Sequence, residues 1–205
     1  MIRAREEQED KKLQKADTEV VADLATSFFA LANLHKRENR LDDAEKFFVK
    51  ALEYTRECYP DGSFELVNRL HELAKFYRYN KDLNKAEFLC IEALEMRKRI
   101  ALDKEKLHLV ELINFLAKIN VEKGNLKEAQ KIFLEILNIL DESDFNHEPA
   151  YSGYFEDVYL DFEYDYECLR AACRVELANV YLKNNDYELA RSQCEQALQY
   201  LDDSM

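Results

Sequence analysis

The stretch Leu31–Ala44, LANLHKRENRLDDA, decides the fold because its pattern occurs four times along the chain. Each copy begins with a Leu-Ala pair and ends with a second Ala, twelve residues after the first. The other three copies are LAKFYRYNKDLNKA (Leu73–Ala86), LAKINVEKGNLKEA (Leu116–Ala129) and LANVYLKNNDYELA (Leu177–Ala190). A motif repeated with a constant internal offset predicts an array of similar structural units.

Apolar columns continue the pattern after the second Ala of each copy. Four residues after the second Ala comes a core-sized side chain. Three residues beyond that side chain comes a small or branched residue, which is directly followed by a Leu. This spacing is typical of a helix with one apolar face, and the Ala residues let two antiparallel helices approach closely. The columns are Phe48, Cys90, Phe133 and Cys194; then Ala51, Ala93, Ile136 and Ala197; then Leu52, Leu94, Leu137 and Leu198.

We therefore predict one antiparallel helix pair for each copy, with Cys90 and Cys194 as core thiols in the column of Phe48 and Phe133. Pro60-Asp61-Gly62-Ser63 marks a break, with Ser63 as a helix start. The predicted helices are 18–37 with 41–57, 64–79 with 83–101, 104–122 with 126–140, and 167–183 with 187–201.

Composition supports an all-α class and excludes several others. Only 3 Gly and 2 Pro occur, which argues against many short strands. The formal charge of −13 argues against broad nucleic-acid binding. No apolar run approaches the length of a membrane span or signal peptide. The five Cys are an odd number without CxxC spacing, which favours reduced thiols and a cytoplasmic location.

The repeated columns resemble the tetratricopeptide repeat (TPR). The distance from Ala44 to Ala86 is 42 residues, longer than the family's usual repeat, and the segment 93–99 (ALEMRKR) closes the second helix. Both features resemble the kinesin-light-chain-like subclass. The resemblance implies a right-handed α-solenoid of about four helix pairs, whose first helices line a concave groove. It also implies a protein–protein interaction module that binds a peptide or helix of another protein, with no catalysis and no cofactor.

The predicted organisation is a charged leader over 1–17 and a single TPR-like domain over 18–202. Its repeats cover about 18–58, 63–101, 103–140 and 167–202. An acidic, aromatic insert over 141–166 separates the third and fourth repeats. Three interpretations of the insert stay open: a local cap on these repeats, a partner-binding arm, or an internal acidic ligand of the groove. Calcium binding is disfavoured because the regular spacing and Gly of a known calcium loop are missing.

The residues directly after each Leu-Ala pair are expected to face the groove, opposite the seam between the helices. Amides and lysines suit a peptide backbone and acidic side chains respectively. The groove therefore selects an acidic peptide, or its Lys and Arg simply solubilise an exposed helix face; both explanations stay open. The predicted partner-binding residues are Asn33, Lys75, Lys118 and Asn179, with Lys36, Arg37, Arg78 and Lys183 farther along the same face.

A more specific site of some TPR proteins is a carboxylate clamp of Lys, Arg and Asn on three successive first helices. The corresponding positions here are Phe29 and Asn33, then Glu72, then Glu111 and Phe115. Only Asn33 matches, so we expect the clamp to be absent.

The remaining alternatives are other kinds of protein. No His or Cys cluster has zinc-ligand spacing, and no Gly-rich phosphate loop occurs, so neither a metal site nor an enzyme is predicted. A self-assembling structural scaffold is one alternative, through apolar seams around Val20–Leu24 and Ala197–Leu201. A secretion-type chaperone is another, although such chaperones generally use the shorter repeat.

Overall fold

The computed structural model describes residues 2–100, 106–142 and 166–202, and every regular element within these ranges is an α-helix. The helices pack in four antiparallel pairs: α1 with α2, α3 with α4, α5 with α6, and α7 with α8. This confirms the predicted class and pairing. The helices are α1 (Ile2–Arg37), α2 (Leu41–Cys58), α3 (Phe64–Tyr79), α4 (Leu83–Ile100), α5 (Lys106–Lys123), α6 (Leu126–Glu142), α7 (Tyr166–Lys183) and α8 (Tyr187–Asp202).

The helix bounds agree with the sequence prediction to within a few residues, except that α1 begins at Ile2 and includes the charged leader. The predicted break lies between Cys58 and Phe64, and the Ser63 hydroxyl accepts a hydrogen bond from the Leu66 amide at 3.0 Å. This N-cap satisfies one of the donors that the first turn of a helix leaves unpaired.

The repeated alanines lie at the contact between the two helices of each pair. All eight are buried, which allows the paired backbones to approach closely. They are Ala32 and Ala44, Ala74 and Ala86, Ala117 and Ala129, and Ala178 and Ala190.

The chain divides into two compact units, Met1–Glu105 and Lys106–Met205, each containing two helix pairs. The single domain predicted over 18–202 stays a prediction. Most of the predicted insert, residues 143–165, lies outside the described residues, so its three interpretations also remain open.

In the first unit, aromatic rings connect the two helix pairs. The Phe48 ring of α2 contacts Phe29 of α1 at 5.7 Å between centroids and Phe76 of α3 at 5.2 Å. Aromatic pairs at such distances add about 0.5–1.5 kcal/mol beyond the burial of apolar area. Phe48 and Phe76 are both buried, so this cluster holds the second pair against the first.

In the second unit, α6 packs against α7 and thereby connects the third pair to the fourth. The guanidinium of Arg170 on α7 donates to the carbonyl of Leu140 on α6, and its Nε lies 3.3 Å from the Asp141 carboxylate. Val180 and Leu140 are fully buried. The repeat columns therefore bury apolar residues between pairs as well as within them.

The turns between paired helices use one left-handed residue at the same position of every repeat, five residues before the second Ala. L side chains rarely adopt positive φ, and Asn and Gly tolerate it best. In the third pair this residue is Gly124, with a φ of 81°. The other three residues are Asn39 (φ 59°), Lys81 (φ 64°) and Asn185 (φ 63°).

One core prediction is wrong. Cys90 is buried as expected, but Cys194 is exposed although it occupies the same column. In the first pair, the equivalent Phe48 is covered by Phe76 of the pair that follows it. No described helix follows α8, so the column is uncovered in the fourth pair.

None of the described helices combines the length and the apolar character of a membrane span.

Enlarging a seam alanine is expected to destabilise the fold. Ala74→Leu places three extra carbons where Ala74 has no exposed surface, which should lower the free energy of unfolding by about 1–3 kcal/mol. Ala30→Leu on exposed α1 surface is the matched control and should change stability by less than about 0.5 kcal/mol. Urea unfolding followed by circular dichroism measures both, and equal effects would contradict the close-packed seam.

Acid is expected to destabilise the first unit through His71, which is buried on α3. Burial, with the charge of Lys75 as a smaller cause, lowers the pKa of His71 from 6.5 to about 3. The unfolded chain therefore binds the proton more tightly, and stability falls as the pH drops below the unfolded pKa toward the folded one. By a pH of about 5 the loss is on the order of 2 kcal/mol.

The measurement is urea unfolding of the native chain and of His71→Gln at neutral and acidic pH. The variant should lose less stability on acidification than the native chain, by about the same 2 kcal/mol. If both proteins lose the same amount, other groups cause the acid sensitivity.

Candidate partner-binding surface

In the first unit the two first helices, α1 and α3, are neighbours. The Arg69 guanidinium of α3 lies 3.9 Å from the centroid of the Phe29 ring on α1. Asn33 and Lys75, each directly after a buried alanine, are half-buried on these helices. The Asn33 amide nitrogen donates to the Phe29 carbonyl one turn earlier, at 3.2 Å. The amide therefore has one hydrogen bond within its own helix.

Lys75 does not present an isolated positive charge. Its Nζ lies 2.8 Å from Oε1 of Glu72, three residues earlier on α3. Both side chains are partly exposed, and such a pair contributes little to stability in water. Its main effect is to reduce the local charge and to fix where the ammonium group lies.

The second unit has a comparable pair that joins two first helices. Lys118 Nζ of α5 lies 3.2 Å from Oε1 of Glu176 on α7. Asn179 and Lys183, on the same α7, are exposed. The structure thus places the central lysine of each unit beside a glutamate, and it leaves Asn179 more exposed than Asn33.

The flanking cations share a position, because each lies in the last turn of a first helix. A positive side chain there interacts favourably with the helix dipole by about 0.3–1 kcal/mol. These residues therefore have a structural role that does not require a ligand. They are Lys36 and Arg37 on α1, Arg78 on α3 and Lys183 on α7.

Burial changes the ionisation of several core groups. It lowers the pKa of His71 to about 3, so His71 carries no charge near neutral pH. Burial also raises the pKa of the Cys173 thiol to about 12, although Lys118 acts in the opposite direction. The pKa of Cys90 is raised to about 12 as well, again mainly through burial. Neither thiol is a thiolate nucleophile at neutral pH.

The glutamate partners were missed in the sequence. Glu72 could have been found, because residues three apart on a helix are neighbours. Glu176 could not, since its contact with Lys118 depends on how two helix pairs pack. The single groove predicted to contain all eight residues stays a prediction, because those residues are divided between the two units.

Among the described side chains, no group of three or more His, Cys, Asp and Glu is arranged to hold a metal ion. The free cysteines differ in exposure: Cys90 and Cys173 are buried, Cys58 is intermediate, and Cys168 and Cys194 are exposed.

Comparison with protein families identifies the repeats. Models of the tetratricopeptide repeat match residues 25–58, 66–101 and 170–200. These segments lie on the first, second and fourth helix pairs. A search of the curated proteins gives no match to this sequence.

Solved structures share the fold at low sequence identity. BtubC (BKLC) from P. vanneervenii is 20% identical, with a TM-score of 0.69 over 96% of this chain and 76% of that chain. A putative kinesin light chain of Podosopora anserina with nearly identical TPR-like repeats is 16% identical. Its TM-score is 0.67 over 98% of this chain and 93% of that one. A single-substitution form of that protein gives 0.68, also at 16% identity, over 98% and 92%.

The repeat matches and these structures agree with the columns and the spacing found in the sequence. The chain therefore contains tetratricopeptide repeats, and its helix pairs have the fold of kinesin-light-chain-like repeats.

Proposed function

We propose that this chain is a protein-binding module whose first helices hold a peptide or helix segment of another protein, without catalysing a reaction. Tetratricopeptide repeats are interaction repeats, and this coarse role follows from the family. The observation that supports the specific surface is one polar column. Directly after each buried alanine, the first helices carry an amide or a lysine that is at least partly exposed: Asn33, Lys75, Lys118 and Asn179.

An amide and a lysine at these positions suit different parts of a peptide ligand. An Asn side chain can donate to and accept from a peptide backbone, whereas a Lys ammonium pairs with carboxylates. Both lysines already contact a glutamate, so an acidic ligand would share or replace that glutamate. We therefore propose acidic ligand segments, and expect moderate affinity with a clear dependence on salt.

The cations at the helix ends add to this proposal in each unit. Lys36 and Arg37 in the first unit and Lys183 in the second form no ion pair with other described residues. Their charge is consequently not neutralised locally, and it would attract an acidic segment toward the lysine beside it. The helix-dipole role described above accounts for their position but does not prevent such binding.

Other aspects of the function are proposed on weaker grounds. The cytoplasmic location rests on the five cysteines, and the absence of nucleic-acid binding rests on the charge of −13. A secretion-type chaperone is less favoured because of the 42-residue spacing. A self-assembling scaffold is favoured by different residues, the exposed leucines of α1 and α8 (Leu31, Leu34 and Leu198).

Charge reversal on the first helices tests the proposed surface. The Lys75→Glu/Lys118→Glu variant should bind fluorescent Glu-rich peptides at least about tenfold more weakly, because attraction becomes repulsion in each unit. The matched control is Lys46→Glu/Lys131→Glu, with the same charge change at exposed positions of second helices. Fluorescence anisotropy at low and physiological salt measures binding, with Gln-substituted peptides as the neutral comparison.

The outcomes separate the acidic ligand from the binding surface. The control variant should bind as the native chain does. If both double variants weaken binding equally, net charge rather than the first-helix column is responsible. If Gln-rich peptides bind as well as Glu-rich ones and only the first-helix variant loses them, the surface is correct and the acidic preference is wrong.

A further inference from the structure

The outer face of α1 is apolar and exposed, although the same face is buried in a later repeat. The register that aligns Ala32 with Ala74 also aligns Leu31 with Leu73 and Leu34 with Phe76. Leu31 and Leu34 are 39% and 50% exposed, whereas Leu73 and Phe76 are 3% and 0% exposed. Phe76 is covered by Phe48 of the preceding pair. The α1 face therefore has the composition of a surface that receives another helix pair.

The fourth pair exposes the complementary side of the same kind of junction. Leu198 is 60% exposed, whereas the equivalent Leu52, Leu94 and Leu137 are 7%, 7% and 5% exposed. Leu52 and Leu137 belong to pairs that are followed by another pair in their own unit. Leu198 lines an apolar groove of about 460 Å³ between α7 and α8, together with Cys168, Ala172, Val175 and Cys194.

The internal junction of the first unit shows which surface fits such a groove. There, a first helix with its Leu and Phe columns packs against the preceding pair, and two ion pairs join the second helices. Lys85 Nζ of α4 lies 3.2 Å from Glu45 of α2, and Arg56 of α2 lies 2.6 Å from Glu92 of α4.

The same register can be applied to a junction between the fourth pair of one copy and the first pair of another. The equivalents of Glu45 and Lys85 are then Arg191 and Asp43. The equivalents of Arg56 and Glu92 are the helix positions Asp202 and Lys50. Each of these two residue pairs again combines opposite charges, but the positive and the negative residue have exchanged helix pairs. Such complementarity sets the register of an interface more than its affinity.

We propose that copies of this chain associate head to tail, with the α1–α2 face of one copy on the α7–α8 groove of another. The exposed columns and the opposite charges at the two sets of equivalent positions specify a second copy as the occupant. The interface uses two different surfaces, so each copy can bind one neighbour at each face. This association is separate from ligand binding by the first-helix polar column and does not depend on it.

Single-face variants test the proposal directly. Leu34→Glu places a charge on the apolar face of α1, and Leu198→Glu places a charge in the groove between α7 and α8. Both positions are already exposed, so the fold is expected to persist. Sedimentation velocity over a wide range of concentration should show association of the native chain and only monomer for each variant. A mixture of the two variants should form a dimer and nothing larger, because each retains the face that the other has lost.

The matched control is Phe88→Glu, which changes a residue 69% exposed that belongs to neither face. It should associate as the native chain does, and circular dichroism melting should show all variants folded. The charge register has its own test. Arg191→Asp should weaken association about fivefold, and adding Asp43→Arg in the same chain should restore it.

Several results would overturn the proposal. A native chain that is monomeric at every concentration excludes it. Loss of association in only one single-face variant indicates a symmetric contact instead. Two monomeric variants that stay monomeric when mixed exclude head-to-tail pairing.

Discussion

The close approach of two helices at paired alanines is the constraint on which the described structure depends. In every pair the two alanines are buried, so a larger side chain there would push the two helices apart. Once the helices are this close, their flanking leucines and aromatics must point away from the seam toward the neighbouring pair. A single pair cannot bury those residues, so each pair requires another beside it. The Phe29–Phe48–Phe76 cluster is the result in the first unit.

The same constraint determines which first-helix residues are exposed at the proposed binding surface. The side chains that follow the seam alanines on the first helices are turned away from the core, and there the chain carries Asn and Lys. Their charge is moderated by Glu72 and Glu176, so this surface is less basic than its cations alone suggest. The flanking cations at the helix ends stabilise the helices whether or not a ligand is bound.

Much of the fold could be predicted from the sequence because the repeat encodes it locally. The alanine columns, the helix bounds and the left-handed Gly124 all follow from residues close together in the chain. The wrong and the missed predictions involve contacts between one helix pair and the next. Cys194 has the sequence features of a core position, yet it is exposed because its burial requires a following pair. The Lys118–Glu176 contact likewise joins residues of different pairs, which spacing within one repeat does not reveal.

The shared turn has a kinetic consequence. Because one left-handed residue closes each pair within a few positions, most contacts of a pair join residues near in sequence. Chains dominated by such local contacts fold in about microseconds to milliseconds. Lys81 is the exception among these turns, since a lysine incurs a conformational cost that Gly or Asn largely avoids. The turn of the second pair therefore has the largest conformational cost of the four, even though the first helix of that pair contributes Phe76 and Tyr77 to the aromatic core of the first unit.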